Sequence, residues 1–368
     1  MQGPSLAPAL IYIYFLFYSL LFNILYILGG FMSYADIVFK NTCRDILENG
    51  TDTQGELVRP VWQDTGEKAY TIKKFSVIHR YNLSKEFPAI TLRPVPIKSA
   101  TEELLWIYQK KSNNINDFKL HIWDSWADPT GSIGKAYGYQ IKQKYAHHKI
   151  ASSDELKFGK DDVKFYNYIH DYFSNINMEI YPSSEIYYEQ KLHDDNKHSI
   201  VAYLMLDQID AVIWDLKNNP YSRRIMTNTY NFKDLHEMNL YPCAYEMKYN
   251  VTKDKETGKL VLNGILIQRS QDVLAALAWN EVQYAVLLHM IAQCCDMIPG
   301  EFVHEITDCH IYDRHVPIIK ELIEREEYPA PKFWLNPDIH NFYDFTKNDV
   351  KLIDYKHGPQ IEYIPIAV

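Results

Sequence analysis

Hydrophobic residues recur with the spacing of an α-helix in three segments of the chain. In the segment 284–295, apolar side chains stand at positions i, i+3, i+4, i+7, i+8 and i+11. This pattern predicts a helix that is buried at the centre of a core. Residues 33–47 and 102–109 show shorter patterns of the same period, and each of them predicts a further helix.

Other segments have the composition of β-strands. Residues 70–81, 260–267 and 302–306 are rich in β-branched and aromatic side chains, which is typical of strands. Residues 140–206 differ from both kinds of segment, because they are rich in tyrosine, carry polar clusters and show no dominant period. We interpret them as an inserted excursion, at about 141–206, within a single catalytic domain that spans residues 32–368.

The first 31 residues form a hydrophobic extension that is distinct from the rest of the chain. Residues 9–28 contain only two polar side chains, and no charged residue occurs before Asp36, so the run is long enough for a membrane-spanning helix. No Lys or Arg precedes it, however, as a signal peptide or an oriented anchor would require. A Gly-Gly pair before Met32 can also be encoded by a ribosome-binding sequence. We therefore expect translation to start at Met32, with a membrane anchor as the alternative.

Composition and charge limit the classes of function. A chain of 368 residues with 47% hydrophobic and 14% aromatic residues can bury a large core. The formal net charge of −9 argues against a nucleic-acid-binding protein, which usually presents a basic surface. Five cysteines without a CxxC pair favour a reducing compartment, and hence the cytoplasm, over a disulfide framework or a structural zinc site.

Cys243 becomes a candidate nucleophile because of the residues that accompany it in the sequence. Arg223 and Arg224 precede it, and Arg269 and Ser270 follow it. An arginine beside a hydroxyl group at the end of a short strand can hold a phosphate. A guanidinium near a thiol also lowers the pKa of the thiol from about 8.5 towards neutrality, which produces the nucleophilic thiolate.

Nine ordered blocks in the chain resemble thymidylate synthase, over nearly all of residues 32–368 apart from the excursion. The blocks are ELLW at 103–106, IWDSWAD at 122–128, AYG at 136–138, DQI at 207–209, NPYSRR at 219–224, PC at 242–243, QRS at 268–270, DCHIY at 308–312 and IAV at 366–368. The region between NP at 336–337 and YKHG at 355–358 is similar to Bacillus-type members of that family.

The resemblance implies a fold and a reaction. The fold would be α/β, with a mixed twisted sheet that carries helices on one face and a second subunit on the other. The reaction would be the reductive methylation of dUMP to dTMP, in which the Cys243 thiolate adds to carbon 6 of uracil. The co-substrate 5,10-methylenetetrahydrofolate would supply the one-carbon unit and the hydride, and no metal would be needed. The active form would be a homodimer, because Arg223 and Arg224 match arginines that the family donates across the interface.

The resemblance also implies roles for individual residues. The catalytic residues would be Cys243, Glu103, Tyr137, Asp272 and Arg269. The residues that bind dUMP would be Arg59, Arg223, Arg224, Arg269, Ser270, Asn280, His310 and Tyr312. The residues that bind folate would be Arg93, Trp123, Trp126, Asp272, Ala276 and Ala367. Within these sets, Asn280 would read the 4-carbonyl and the 3-NH of uracil, and Glu103 would exchange protons through ordered water.

Three positions depart from the family pattern. Ala276 and Thr307 stand where the family usually has glycine, and Trp279 stands where it has phenylalanine. Threonine at position 307 requires a negative φ angle. We expect the changes at Ala276 and Trp279 to alter the contacts with folate rather than the chemistry on dUMP.

Two other functions are considered beside methylation. A hydroxymethylase of the same superfamily, acting on dUMP or dCMP, would trap the methylene intermediate with water. A cytosine-specific version is expected to carry Asp at position 280, so Asn280 favours uracil. An inactive nucleotide-binding homologue should have lost Cys243, Glu103 or an arginine, and all of these are present.

Overall fold

A mixed seven-stranded β-sheet forms the centre of the protein. The computed structural model describes residues 32–156, 162–192 and 198–368. The strands in these ranges are β1 (Thr51–Asp52), β2 (Thr71–Asn82), β3 (Tyr145–Ser152), β4 (Glu185–Leu192), β5 (His198–Leu206), β6 (Met226–Asn228), β7 (Ala244–Lys253), β8 (Leu260–Gln268), β9 (Gln271–Asp272), β10 (Ile298–Tyr312), β11 (Lys332–Leu335) and β12 (Val350–Ile353). The main sheet has the order β1-β2-β10-β8-β7-β6, and β9 pairs with β10. Strand β10 is antiparallel to β2 and parallel to β8.

Helices pack against this sheet. The helices in the described ranges are α1 (Tyr34–Asn49), α2 (Ile97–Tyr108), α3 (Gly138–Ile141), α4 (Asp162–Ser174), α5 (Gln208–Asn218), α6 (Ala278–Cys294) and α7 (Val316–Glu324). Helix α6 contacts α2, β8 and β10, while α1 contacts β2 and β10. Ile78 and Ile265 alternate with buried neighbours along their strands and remain exposed on the opposite face. The structure confirms the mixed α/β fold.

The predicted helices and strands are present, and most of them extend beyond their predicted ends. Residues 33–47 correspond to α1, and residues 102–109 lie in α2, which begins at Ile97. The buried helix predicted at 284–295 begins at Ala278. It starts earlier because it continues from a wider π-helical turn, Val273–Leu277, whose first amides are capped by the Asp272 side chain.

The predicted excursion forms a small layer of its own. Strands β3, β5 and β4 make an antiparallel three-stranded sheet in that order. This sheet and α4 enclose a separate cluster of buried side chains, namely Ala151, Phe165, Ile169, Ile200 and Ala202. Leu204 and Leu206 of β5 belong to the main core instead. The excursion is therefore anchored to the catalytic domain through β5, and its function stays open.

The apolar run at residues 9–28 lies outside the described residues, so the expected start at Met32 stays a prediction. Of the helices that the structure describes, none is both long and apolar enough to cross a membrane.

Candidate active site

A cavity of about 540 Å³ opens beside the start of β7 and the N-terminal end of α6. It is lined by every site residue that was predicted from the sequence except two. These lining residues are Arg59, Arg93, Glu103, Trp123, Trp126, Tyr137, Cys243, Arg269, Ser270, Asp272, Ala276, Asn280, His310, Tyr312 and Ala367. The exceptions are Arg223 and Arg224, which are exposed on the loop after α5. The chain thus brings together residues as far apart as Arg59 and Ala367, but it does not bring these two arginines to its own cavity.

Cys243 lies directly before β7 and is held through its backbone. Its N–H donates a hydrogen bond of 2.9 Å to the hydroxyl of Tyr137, and its carbonyl accepts one of 3.0 Å from the N–H of Arg269. The Arg269 side chain donates to the carbonyl of Pro242 at 2.9 Å. These contacts fix the turn from which the thiol projects.

The pKa of the Cys243 thiol differs from the sequence-based expectation. Burial raises this pKa, while the charges of Arg269 and Arg59 lower it, and the balance lies above the usual value. The Nη2 atom of Arg269 is 3.6 Å from the sulfur. The expectation that neighbouring guanidinium groups bring the thiol towards neutrality is therefore wrong for the single chain, because loss of solvation outweighs two positive charges.

Glu103 of α2 is buried at the end of the cavity and accepts three hydrogen bonds. Trp123 Nε1 donates to Oε1 at 2.6 Å, and Gln283 Nε2 donates to Oε2 at 2.7 Å. Trp279 Nε1 also donates to Oε2, at 2.5 Å. Burial raises the pKa of Glu103, although these three donors oppose the rise. A carboxyl group with a raised pKa can exchange protons close to neutral pH.

Asp272 caps the turn before α6 and also faces the cavity. Its Oδ1 accepts hydrogen bonds from the amides of Leu274 and Ala275, at 3.0 and 3.1 Å. Burial would raise the pKa of Asp272, but a hydrogen bond and charge from His315 outweigh it, and the pKa is lowered. Arg93 is buried nearby and donates to the carbonyl of Leu274 at 2.7 Å. Asp272 is therefore an ionised group whose position is set by the helix start.

The amide of Asn280 lies between two glutamine side chains. Gln268 Nε2 donates to Asn280 Oδ1, and Asn280 Nδ2 donates to Gln283 Oε1, each at 3.4 Å. On the opposite wall, His310 Nδ1 is paired with the Asp308 carboxylate at 2.9 Å. The Asn280 amide thus presents one donor and one acceptor at the wall of the cavity, held by weak contacts of 3.4 Å with the two glutamines.

The C-terminal residues close one side of the cavity. Val61 and Val368 exchange two backbone hydrogen bonds of 2.9 Å, and Gln63 N donates to the carbonyl of Ile366 at 2.9 Å. Ile366, Ala367 and Val368 all line the cavity. The last residues therefore act as a short wall that is tied by backbone pairing to the segment beside Arg59.

The structure shows where the three residues that differ from the family pattern lie. Thr307 lies in β10 and is not among the described non-glycine residues with positive φ, whereas Ser76, on the paired strand β2, has a φ of 56°. Threonine is therefore compatible with the backbone at this position. Ala276 and Trp279 both line the cavity, as expected for residues that alter ligand contacts.

Gln283 and His315 were not predicted as part of the site, and Trp279 was expected to affect folate contacts but not to bind Glu103. Trp279 and Gln283 both bind Glu103, and His315 contacts Asp272, with 3.4 Å between His315 Nδ1 and Asp272 Oδ1. Trp279 and Gln283 stand four positions apart on α6, and this spacing places them on one helix face. The sequence spacing therefore indicated that Trp279 and Gln283 share a helix face, but it did not indicate that this face contacts Glu103.

A buried cluster of His79, Glu281 and His304 also lies outside the predicted site. Two imidazoles and one carboxylate form a ligand set that zinc can use. Ligands of an ion with bonds of about 2.0–2.2 Å lie about 3.3 Å apart, whereas His79 Nδ1 and Glu281 Oε1 are 2.6 Å apart. That separation is a hydrogen bond, so we interpret the cluster as a buried hydrogen-bonded pair of His79 and Glu281 with a second imidazole beside it.

Comparisons with known proteins agree with this geometry. The family model described as thymidylate synthase matches residues 37–368. A thymidylate synthase of Bacillus licheniformis is 36% identical over 335 residues, covering 90% of this chain and 99% of the relative. A thymidylate synthase of Clostridium beijerinckii is 33% identical over 336 residues, covering 90% and 98%. The solved structure of a thermostable thymidylate synthase A from Bacillus subtilis matches with a TM-score of 0.68 and 34% identity, covering 90% and 99%. The chain belongs to the thymidylate synthase family, whose members are methyltransferases.

Proposed function

We propose that the protein catalyses the reductive methylation of dUMP to dTMP, with 5,10-methylenetetrahydrofolate as co-substrate. One observation carries this proposal: a thiol, a buried carboxyl group, a carboxamide and several arginines line the same cavity. The family membership gives the reaction, and the cavity supplies residues for each of its steps.

Cys243 would act on the pyrimidine ring. Addition of its thiolate to carbon 6 of uracil places negative charge on carbon 5 and the 4-carbonyl, and carbon 5 becomes the nucleophile. Arg269 would oppose the rise in the pKa of the thiol that burial causes, and it would hold the turn that aims the sulfur. Glu103 would then donate and accept the protons that the 4-carbonyl and the transferred group require.

The remaining polar residues would fix the nucleotide. Arg59, Arg269 and Ser270 are suited to the phosphate, because guanidinium groups and a hydroxyl donate several hydrogen bonds to its oxygens. His310 and Tyr312 would contact the ribose. Asn280 would read uracil, since a carboxamide offers the donor and the acceptor that the 4-carbonyl and the 3-NH require.

The folate co-substrate would occupy the apolar part of the cavity. Trp123, Trp126 and Ala276 provide flat and apolar surfaces, and the ionised Asp272 provides an acceptor for ring N–H groups. When bound, the folate supplies the one-carbon unit and the hydride. The tail at Ala367 would help to exclude water from the reacting atoms.

The working molecule would be a symmetric homodimer. Arg223 and Arg224 are exposed and do not line the cavity of their own chain. The free sheet face carries exposed apolar side chains, including Phe75 and Ile78 at 82% and 57% exposure, as a subunit interface does. Pairing of two such faces would allow the two arginines of one subunit to reach the phosphate site of the other.

We also expect a cytoplasmic location. All five cysteines are free, and four of them are buried, which suits a reducing compartment. Mass spectrometry of the native protein tests the associated start at Met32, because a peptide from residues 1–31 would show that the extension is retained.

A product assay tests the proposed reaction. The purified protein is incubated with dUMP and methylenetetrahydrofolate, and both products are measured by chromatography and mass spectrometry. Equal amounts of dTMP and dihydrofolate are expected. Formation of 5-hydroxymethyl-dUMP would assign the protein to the hydroxymethylases instead, and the absence of any product would support an inactive homologue.

A further inference from the structure

The Glu103 carboxylate has an unusually complete set of hydrogen-bond donors. Trp123 Nε1 lies 2.6 Å from Oε1, while Trp279 Nε1 and Gln283 Nε2 lie 2.5 and 2.7 Å from Oε2. Glu103 itself is only 6% exposed. Two of the three donors are indole groups, which donate one hydrogen bond and accept none.

The two oxygens of Glu103 are therefore not equivalent. A carboxylate oxygen has about two lone-pair directions. Both directions on Oε2 are used, by Trp279 and Gln283, whereas Oε1 receives a single donor from Trp123. A proton or a water molecule can therefore reach Glu103 without displacing a donor only at Oε1.

Trp279 is the member of this set that donates to Oε2 through an indole N–H. A phenyl ring would fill much of the same space but has no N–H to donate. Trp279 lies in the first turn of α6, and its ring lines the cavity. Its indole therefore closes Oε2 from the side of the cavity that faces the ligands.

We propose that Trp279 is a positioning residue that closes Oε2 of Glu103 and leaves Oε1 as the atom through which Glu103 exchanges protons. The catalytic meaning of this inference rests on the proposed function. The arrangement of the three donors does not, so the two can be tested separately.

The neighbouring ionisable groups define the expected direction of the effect. Tyr137, from the loop before α3, and Tyr284, from α6, are the groups whose charge interacts with Glu103. Burial raises the pKa of both phenols well above their usual value, so both are neutral near pH 7. The charged form of Glu103 is thus stabilised by its hydrogen bonds, and loss of the Trp279 donor must raise the pKa of Glu103.

The test uses Trp279→Phe, which keeps an aromatic ring and removes the N–H. Infrared difference titration of the intact protein measures the pKa of the Glu103 carboxyl group, whose band is identified by its absence in Glu103→Gln. We expect Trp279→Phe to raise this pKa by about one to two units, because the indole N–H stabilises only the charged form of the carboxyl group. Trp334→Phe, on β11 and outside the cavity, is the matched control and should leave the pKa unchanged.

Kinetics provide the second measurement. In Trp279→Phe, the apparent pKa of the limb of the kcat profile that Glu103 controls should shift to higher pH by the same amount. The KM for dUMP should change by less than about twofold, because the residues proposed to bind dUMP are retained. Gln283→Met removes the other Oε2 donor and should shift the pKa in the same direction. If Trp279→Phe does not fold, the pKa of Glu103 in Gln283→Met tests whether the donors to Oε2 stabilise the charged carboxylate.

The outcomes separate this inference from the proposed function. An unchanged Glu103 pKa in folded Trp279→Phe, or an equal shift in Trp334→Phe, would overturn the positioning role. A raised pKa in a protein whose wild type makes no dTMP would support the role of Trp279 and reject the proposed reaction.

Discussion

Two opposing effects act on the thiol of Cys243. Burial raises its pKa, while the charges of Arg269 and Arg59 lower it. In the proposed dimer, Arg223 and Arg224 of the second subunit would add positive charge to the same site. A thiol whose pKa is above its usual value in the single chain would then become more acidic as the site is completed.

Replacement of Arg269 should make Cys243 less reactive. Arg269→Gln removes the positive charge nearest to the sulfur, so the pKa of Cys243 should rise by about one unit and alkylation by iodoacetamide at pH 8 should slow by about tenfold. Arg269→Lys keeps a charge and should slow it less. The rates are measured by peptide mass spectrometry, with the buried Cys43 and Cys309 as internal controls. Equal rates in Arg269→Gln and the wild type would contradict this account of the thiol.

Residue roles differed in how far the sequence could predict them. Cys243, Arg269 and Asn280 lie in short blocks whose residue types match a family pattern, and the cavity brings them together. The pKa of Cys243 was not predictable, because desolvation depends on how the surrounding elements pack. The contact between Trp279 and Glu103 joins residues 176 positions apart, so local sequence patterns could not predict it either.

At the scale of elements, α6 packs on the sheet through a polar cluster as well as through apolar side chains. Glu281 of α6 meets His79 of β2 and His304 of β10, and antiparallel pairing places the two histidines directly opposite one another. The period of the helix predicted its burial. It did not predict this cluster, because the pairing depends on the register between strands that are more than 200 residues apart in the chain.

The cluster should contribute to stability in a pH-dependent way. Burial would raise the pKa of Glu281, but the charge of His79 and hydrogen bonds from both histidines outweigh it, and the pKa is lowered to about 2. Because this value lies below the unfolded value of about 4.3, the stabilisation is fully present above pH 4.3. It is lost as the pH falls towards 2.

Glu281→Gln should therefore destabilise the protein at pH 7, by about 3 kcal/mol, because it removes the buried carboxylate that pairs with His79 and His304. Urea unfolding measures the change. Glu301→Gln on β10 is the control, since Glu301 forms an exposed pair with Arg80 that is worth less than about 1 kcal/mol. Equal decreases in the free energy of unfolding of the two variants would show that the buried cluster contributes no more to stability than the exposed pair.

At the scale of the whole molecule, one chain would provide an incomplete site under the proposed function. Its cavity contains Cys243 and Asn280, while two of the predicted phosphate ligands, Arg223 and Arg224, are exposed outside it. The assignment of these arginines to a second subunit came from the resemblance. The fold of the single chain is consistent with it, because the helices in the described ranges leave one face of the sheet free.

Mixing two inactive variants tests whether the arginines act across the interface. One variant carries Cys243→Ser, and the other carries Arg223→Glu with Arg224→Glu. If the dimers exchange subunits, half of them become mixed and each mixed dimer has one intact site, so activity should recover to about a quarter of the wild-type value. If the arginines serve their own chain, the mixture should stay inactive.

The most direct test of the central claim is a covalent trap. The fluorine of 5-fluoro-dUMP replaces the proton that must leave carbon 5 after carbon 5 has bonded to the folate methylene group. Because fluorine cannot leave in that way, incubation with 5-fluoro-dUMP and methylenetetrahydrofolate should leave both ligands attached to the protein. We predict an intact mass increased by one molecule of each, located on the peptide that contains Cys243 and absent from Cys243→Ser. A folded dimer that forms no adduct, or an adduct on another cysteine, would contradict the assignment of Cys243 as the nucleophile.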